Sequence, residues 1–216
     1  MGETLGRVDR ALDSFRPKAS KPSSIDLATW DPEKFVGEIS AIRASLRGKT
    51  RQVRETTEAT LAMHEAILAK GDWDARPFAR LPVRVCHNDY HTQNVLTRRD
   101  GAVAVLDWEK AGWDWRGFEV ARSVMFTCRR ANGTYNWGNA KAYLGGYRRH
   151  ATLSDRERET AFLCGFNKAF FSLWAAKEYA SGRAELRDHL IRRSALMPYL
   201  FRNRLQFAER ISGMLG

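Results

Sequence analysis

The chain has 216 residues, enough for one ordinary domain or two small ones. Apolar residues make up 44% and charged residues 28%, which excludes a disordered chain, and no apolar run approaches the ~18 residues of a membrane span. Lys+Arg 36 against Asp+Glu 25 gives a formal charge of +11, which suits anionic partners such as phosphorylated ligands or nucleic acid.

The first predicted element is a helix. Leu5, Val8, Leu12 and Phe15 recur at helical spacing on one face. Pro17 and the Lys-Pro-Ser-Ser run around Pro22 break it. Asp31-Pro32 reads as an N-cap and first-turn proline, opening a second helix with Phe35, Ile39, Ile42 and Leu46 inward and Gly48 at its end. A third helix runs from Thr50 to Lys70, with His64 on a face shared with Leu61 and Leu68, where it reads as a packed residue. The stretch from Trp73 to Pro82 is a loop.

The texture then changes. Val83-Arg84-Val85-Cys86 is β-rich and follows a proline, so it predicts a strand. Asn94–Thr97 and Ala102–Leu106 predict two more, joined at the turn Arg99-Asp100-Gly101. Past Trp115 helices return, over 119–130, 135–149, and a long one over 154–181. Ser154 and Glu157 form its capping box, and Phe162, Phe166, Phe170 and Leu173 mark its buried face. A final helix begins near Ala184, is interrupted at Pro198 and resumes to Ile211. Arg148, Arg149, Arg192 and Arg193 read as a solvated basic face. The expected fold class is mainly α with a small β-hairpin region.

The chemistry concentrates in His87-Asn88-Asp89-Tyr90-His91-Thr92-Gln93-Asn94, followed by Leu106-Asp107-Trp108-Glu109. A strand delivers Asp89 into a loop, Asn94 opens the next strand, and Asp107 ends the third. Two carboxylates and an amide oxygen can then converge across one hairpin. That set suits phosphoryl transfer from a metal-bound nucleotide. Asp89 would orient the attacking hydroxyl, while Asn94 and Asp107 supply the hard oxygens magnesium prefers. His87 would brace the loop. Trp108 would pack beneath the metal aspartate. Glu109 reads equally as a substrate or metal contact and as a solvated acid. Substrate-lining roles are open for His91, Trp113 and Trp115, beside readings as a surface histidine and a packed loop.

The His87-x-Asp89-x-x-x-x-Asn94 and Asp107-Trp108-Glu109 segments resemble the aminoglycoside phosphotransferase and choline kinase-like branch of the protein-kinase-like fold. Arg116-Gly117-Phe118-Glu119-Val120-Ala121 is similar to the segment leading into that family's next helix, with Glu119 in place of its usual aspartate. Residues 5–12 resemble its first C-lobe helix, with Asp9 in place of a common histidine. The resemblance implies a single C-lobe over 1–216, helical over 1–80, with the catalytic hairpin over 83–110 and helices over 116–211. It implies ATP, or another nucleoside triphosphate, with Mg2+ as cofactor and a small-molecule hydroxyl as acceptor.

No strand-rich lobe with a Gly-rich loop and strand lysine precedes His87. The N-terminal nucleotide-binding lobe is therefore expected to be absent, through truncation, through fragmentation, or because another chain supplies it, and the apolar surface left where it would dock favours a homodimer. Without that lobe, a non-catalytic remnant or binding module of the same fold is the alternative reading. Few acids and many arginines in the last third disfavour a polycationic acceptor. Nucleic acid is disfavoured too, since no zinc finger, helix-turn-helix or aromatic RNA-binding signature occurs. Cys86, Cys128 and Cys164 are odd in number and far apart. With no apolar leader in the first twenty residues, they predict a reducing, cytoplasmic location and no membrane partner.

Overall fold

The computed structural model describes residues 1–15, 30–101, 103–130 and 133–216. The expected break around Pro17 and Pro22 lies outside these, as does Ala102. The fold is mainly α with two small antiparallel sheets. The helices are α1 (Gly2–Leu12), α2 (Pro32–Ser45), α3 (Arg51–Leu68), α4 (Arg116–Thr127), α5 (Trp137–Arg148), α6 (Asp155–Phe170), α7 (Trp174–Ser181) and α8 (Arg187–Leu215). The strands are β1 (Val83–Cys86), β2 (Val95–Thr97), β3 (Val103–Val105) and β4 (Gly112–Trp115). The chain divides into two compact units: Met1–Ile25 with Pro77–Gly165 and Leu205–Gly216, and Asp26–Arg76 with Phe166–Arg204. Among the described residues no helix is long and apolar enough to cross a membrane. The three cysteines are free and buried.

The first unit holds both sheets. β2 and β3 form the expected hairpin, with Val95 opposite Val105 and Thr97 opposite Val103. β1 pairs instead with β4, a strand not expected from the sequence, in the register Val83–Trp115 to Cys86–Gly112. Its Gly-Trp-Asp-Trp composition reads as a loop, and only the long-range ladder with β1 makes it a strand.

α1 packs on α5, but not through the expected stripe. Gly2, Leu5, Gly6 and Asp9 are the buried residues, while Phe15 is exposed. The glycines decide this. A Cβ on Gly6 would lie 2.5 Å from the Tyr147 carbonyl oxygen, so the two helices approach closely only along the glycine face. Asp9 comes inward with that face. Tyr147 donates a 2.8 Å hydrogen bond to its Oδ2, and the Arg116 Nε lies 3.3 Å from the same oxygen. The capping box forms: Ser154 donates to Glu157 Oε2 from its hydroxyl at 2.7 Å and its backbone N–H at 2.9 Å. Arg149 is not simply solvated, since it pairs with Glu3 at 2.6 Å.

The second unit is built on an aromatic core. Asp31 caps α2 by accepting from the Glu33 and Lys34 N–H groups, and Phe35, Ile39, Ile42 and Leu46 are buried as the spacing predicts. His64 lies between the Phe35 and Phe170 rings, with centroids at 5.6 and 5.1 Å. Burial, helped by the Arg193 charge, pushes its pKa down to about 3. It is a packed neutral histidine. Trp73 stacks on Phe170 at 4.3 Å and anchors its loop by donating to the Leu68 carbonyl.

Three features of the last third depart from the spacing in the sequence. The long helix over 154–181 is two helices, α6 and α7, separated at Phe171–Leu173. Arg193 is half-buried rather than fully solvated, and its guanidinium donates to the carbonyls of Ala169 and Ser172, the latter at 2.9 Å. Those bonds satisfy carbonyls that a continuous helix would have used. α8 runs unbroken through Pro198. Buried Leu190, Met197 and Leu200 hold the helix on both sides of the proline.

Candidate active site

Every residue of the site belongs to the first unit. β1 ends at Cys86 and hands the chain to a loop built around His87 and Asn88. Asn88 takes φ 65°, in the left-handed region that asparagine tolerates better than most residues. The Glu119 carboxylate, from the first turn of α4, accepts from the backbone N–H of His87 at 3.1 Å and of Asn88 at 2.5 Å. The Asn88 side chain donates to the carbonyls of Lys110 and Gly112. The His87 ring accepts from the Asp89 N–H at Nδ1, 3.2 Å, so Nε2 carries the proton donated to the Leu106 carbonyl at 2.8 Å. His87 thus ties the Asp89 loop to the end of β3, a bracing position.

Asp89 is buried, yet both of its oxygens have cationic partners. Lys110 Nζ lies 2.7 Å from Oδ2, and Arg122 Nη2 lies 2.7 Å from Oδ1. The His91 Nε2 stands 3.7 Å from Oδ1. Burial pushes the Asp89 pKa up, but the Lys110 and Arg122 hydrogen bonds outweigh it and hold the carboxyl below its usual value. The side chain therefore stays ionised at neutral pH.

Asn94 sits at the end of a short 3-10 turn, just before β2. Its Nδ2 donates to the Asp89 carbonyl at 3.0 Å. The Asn94 carbonyl accepts from the Leu106 N–H at 2.9 Å, so Asp107 follows directly on the residue bonded to Asn94 across the hairpin. Asp107 takes φ 61° and ψ 62°. A non-glycine residue held there costs about 1–3 kcal/mol, a strain that clusters where a side chain must be aimed.

The donor chemistry fits a hard divalent cation. The amide nitrogen of Asn94 is committed to Asp89, which turns Oδ1 the other way. Asp107 is exposed and forms no ion pair among the described residues. No cluster of three or more His, Cys, Asp or Glu side chains able to hold a metal exists among them. Magnesium typically takes only one or two protein carboxylates and fills its other positions with phosphates and water.

The remaining sequence candidates separate. Trp108 is 42% exposed and does not fill the core. It lies against the His87 ring at 4.6 Å and donates from its indole to the Val105 carbonyl at 2.9 Å. The turn over 108–110 has no buried residue, so Trp108 lies at the surface against the His87 ring. Glu109 is exposed. Trp115 is buried in β4 at 6.2 Å from Phe78, and Trp113 lies on the same strand, so both belong to a sheet rather than to a loop. Lys110, Arg122 and Asn88 escaped the sequence reading. Glu119, Arg122 and Phe126 do share one helix face by spacing (i, i+3, i+7), and that was the available signal.

A buried aspartate, an asparagine hydrogen-bonded to its backbone and a second aspartate at the end of the same hairpin lie together on a mainly α fold with two small sheets. The chain belongs to the phosphotransferase enzyme family, whose model matches residues 1–153. It is 27% identical over 157 residues to a homoserine kinase of Bradyrhizobium diazoefficiens, covering 73% of this chain and 43% of that one. A homoserine kinase of Caulobacter vibrioides is 36% identical over 80 residues, covering 37% and 25%. The chain thus spans less than half the length of these curated relatives. Its fold is similar to an amicoumacin kinase solved with AMP-PNP and Ca2+, at TM-score 0.52 and 14% identity, covering 91% of this chain and 56% of that one. It is also similar to a choline kinase from Cryptosporidium parvum, at TM-score 0.52 and 11% identity, covering 97% and 65%.

Proposed function

We propose that this chain carries the transfer centre of a small-molecule kinase, moving the γ-phosphoryl of Mg·ATP, or of another nucleoside triphosphate, to a hydroxyl group. The observation that carries this reading is the Asp89 carboxylate, buried, ionised and hydrogen-bonded through its own carbonyl to Asn94. Asp89 accepts the hydrogen bond of the incoming hydroxyl, aligns its oxygen and takes its proton as the new bond forms. Asn94 and Asp107 hold the divalent ion that, when bound, neutralises charge on the phosphates. Glu119, His87 and Asn88 fix the loop, so that the alignment costs little at the moment of reaction. The relatives make L-homoserine the first acceptor to try.

The test is magnesium-dependent ATP binding by calorimetry, followed by turnover with a panel of hydroxy compounds. Asp107→Ala is expected to abolish the magnesium-dependent binding. Asp89→Ala is expected to keep binding and lose transfer. No binding at millimolar ATP would defeat the reading, and binding without transfer to any acceptor would make the chain a nucleotide-binding module.

A further inference from the structure

Asp89 has more positive charge around it than it needs. Lys110 and Arg122 each bring a full charge to the one carboxylate, and neither pairs with another acid among the described residues. Glu119, on the same helix as Arg122, spends its oxygens on the backbone of His87 and Asn88. The cluster of Asp89, Lys110 and Arg122 therefore carries a surplus positive charge.

The two cations differ in place. Lys110 follows Asp107 on the same short turn, so it belongs to the metal side of the carboxylate. Arg122 rises from α4 on the opposite oxygen. Its single hydrogen bond among the described residues uses Nη2, and its side chain is 25% exposed, so guanidinium N–H groups remain for another partner. The guanidinium lies over the Phe126 ring at 5.1 Å, and Phe126 is itself 61% exposed. A ring beneath a guanidinium holds the plane of its donors. A planar fork with free donors, beside the group that takes the acceptor hydroxyl, is matched to a carboxylate.

We propose that Arg122, backed by Phe126, is the subsite for a carboxylate on the acceptor, so that the substrate is a small hydroxy acid whose hydroxyl reaches Asp89. This rests on the phosphotransfer reading of Asp89, and it narrows the acceptor from any hydroxyl compound to an anionic one. In the free protein Asp89 occupies the fork. When the acceptor hydroxyl engages Asp89, the acceptor carboxylate takes up the donors that Arg122 has to spare.

The experiment is binding to the full chain, by calorimetry, without nucleotide or metal. The probes are 4-hydroxybutanoate and 4-hydroxybutanamide, which differ in the charge at one end. The acid is expected to bind about tenfold more tightly than the amide. Arg122→Met should erase that preference, and Arg122→Lys should keep part of it. Asp89→Asn releases the cations and should tighten binding of the acid about tenfold. Equal binding of the two probes, a preference that survives Arg122→Met, or an acid affinity unchanged by Asp89→Asn would each overturn the proposal. Circular dichroism checks each variant, and if Arg122→Met does not fold, Arg122→Lys decides, an undiminished preference for the acid in that variant overturning the proposal. A chain that binds the acid through Arg122 yet transfers no phosphoryl would defeat the phosphotransfer reading and leave the subsite standing.

Discussion

Glu119 accepts a 2.5 Å hydrogen bond from the backbone N–H of Asn88, across 31 residues of sequence. The carboxylate is fully buried, and its other oxygen takes the His87 N–H. The loop that carries Asp89 is therefore suspended from the first turn of α4. Glu119→Gln keeps one acceptor and turns an amide NH2 against the other N–H. The expected loss of stability is about 2–4 kcal/mol in urea unfolding. A loss below about 0.5 kcal/mol would mean that the loop holds itself.

The same carboxylate makes stability depend on pH. Burial, helped by the Asp9 charge, pushes the Glu119 pKa up, against the pull of the two backbone bonds that favour its ionised form. Burial raises Asp9 as well, against Arg116 and Tyr147. The folded chain thus keeps protons that the unfolded chain gives up near the ordinary carboxylate values. This contribution is full below about pH 4 and is lost at about 1.4 kcal/mol per pH unit for each proton as pH rises from there toward the raised folded values, above which it is gone. Unfolding free energies at pH 5, 6, 7 and 8 should fall, and Asp9→Asn should shrink the fall. A flat profile in the parent chain would refute the assignment.

Two glycine replacements should move stability in opposite directions. In Gly6→Ala the new Cβ meets the Tyr147 carbonyl oxygen at 2.5 Å, and backbone cannot rotate away. A loss of about 1–3 kcal/mol is expected. Gly37 lies within α2 with nothing inside 4 Å of its added Cβ. Gly37→Ala should stabilise by about 0.5–1 kcal/mol through helix propensity and chain entropy. Thermal melts of the pair check both signs, and similar shifts would remove the close-approach argument for α1 and α5.

Arg193 decides where α6 ends. Arg193→Met leaves the Ala169 and Ser172 carbonyls without their shared donor, at an expected cost of about 1–3 kcal/mol. Faster proteolytic cutting near Phe171–Leu173 should accompany it. Unchanged stability and cutting would show that the break needs no cap.

Where a feature depends on neighbours in sequence, it was legible. The Asp31-Pro32 start, the Phe35–Ile39–Ile42 stripe, the Ser154–Glu157 box and the turn at Gly101 all follow from spacing within a few residues. The first helix misled because an apolar stripe was visible while the close approach of Gly2 and Gly6 to α5 was not. Pro198 and the α6–α7 break misled in opposite ways. Tertiary burial carries one helix through a proline, and a half-buried arginine caps the end of another with no breaker residue at the junction.

The sequence by itself determined a mainly helical chain of ordinary size, and a His-x-Asp-x-x-x-x-Asn segment with an aspartate one hairpin later. Its +11 charge pointed to anionic partners without saying where they bind. The tertiary structure alone decided that β4 pairs with β1, that Glu119 holds the loop, and that Lys110 and Arg122 close on Asp89 from 21 and 33 residues away. Periodicity encodes which way a side chain faces, over a turn or two. Which cation meets which carboxylate is fixed only when the elements pack. In this protein that is where part of the surplus charge acquires an address.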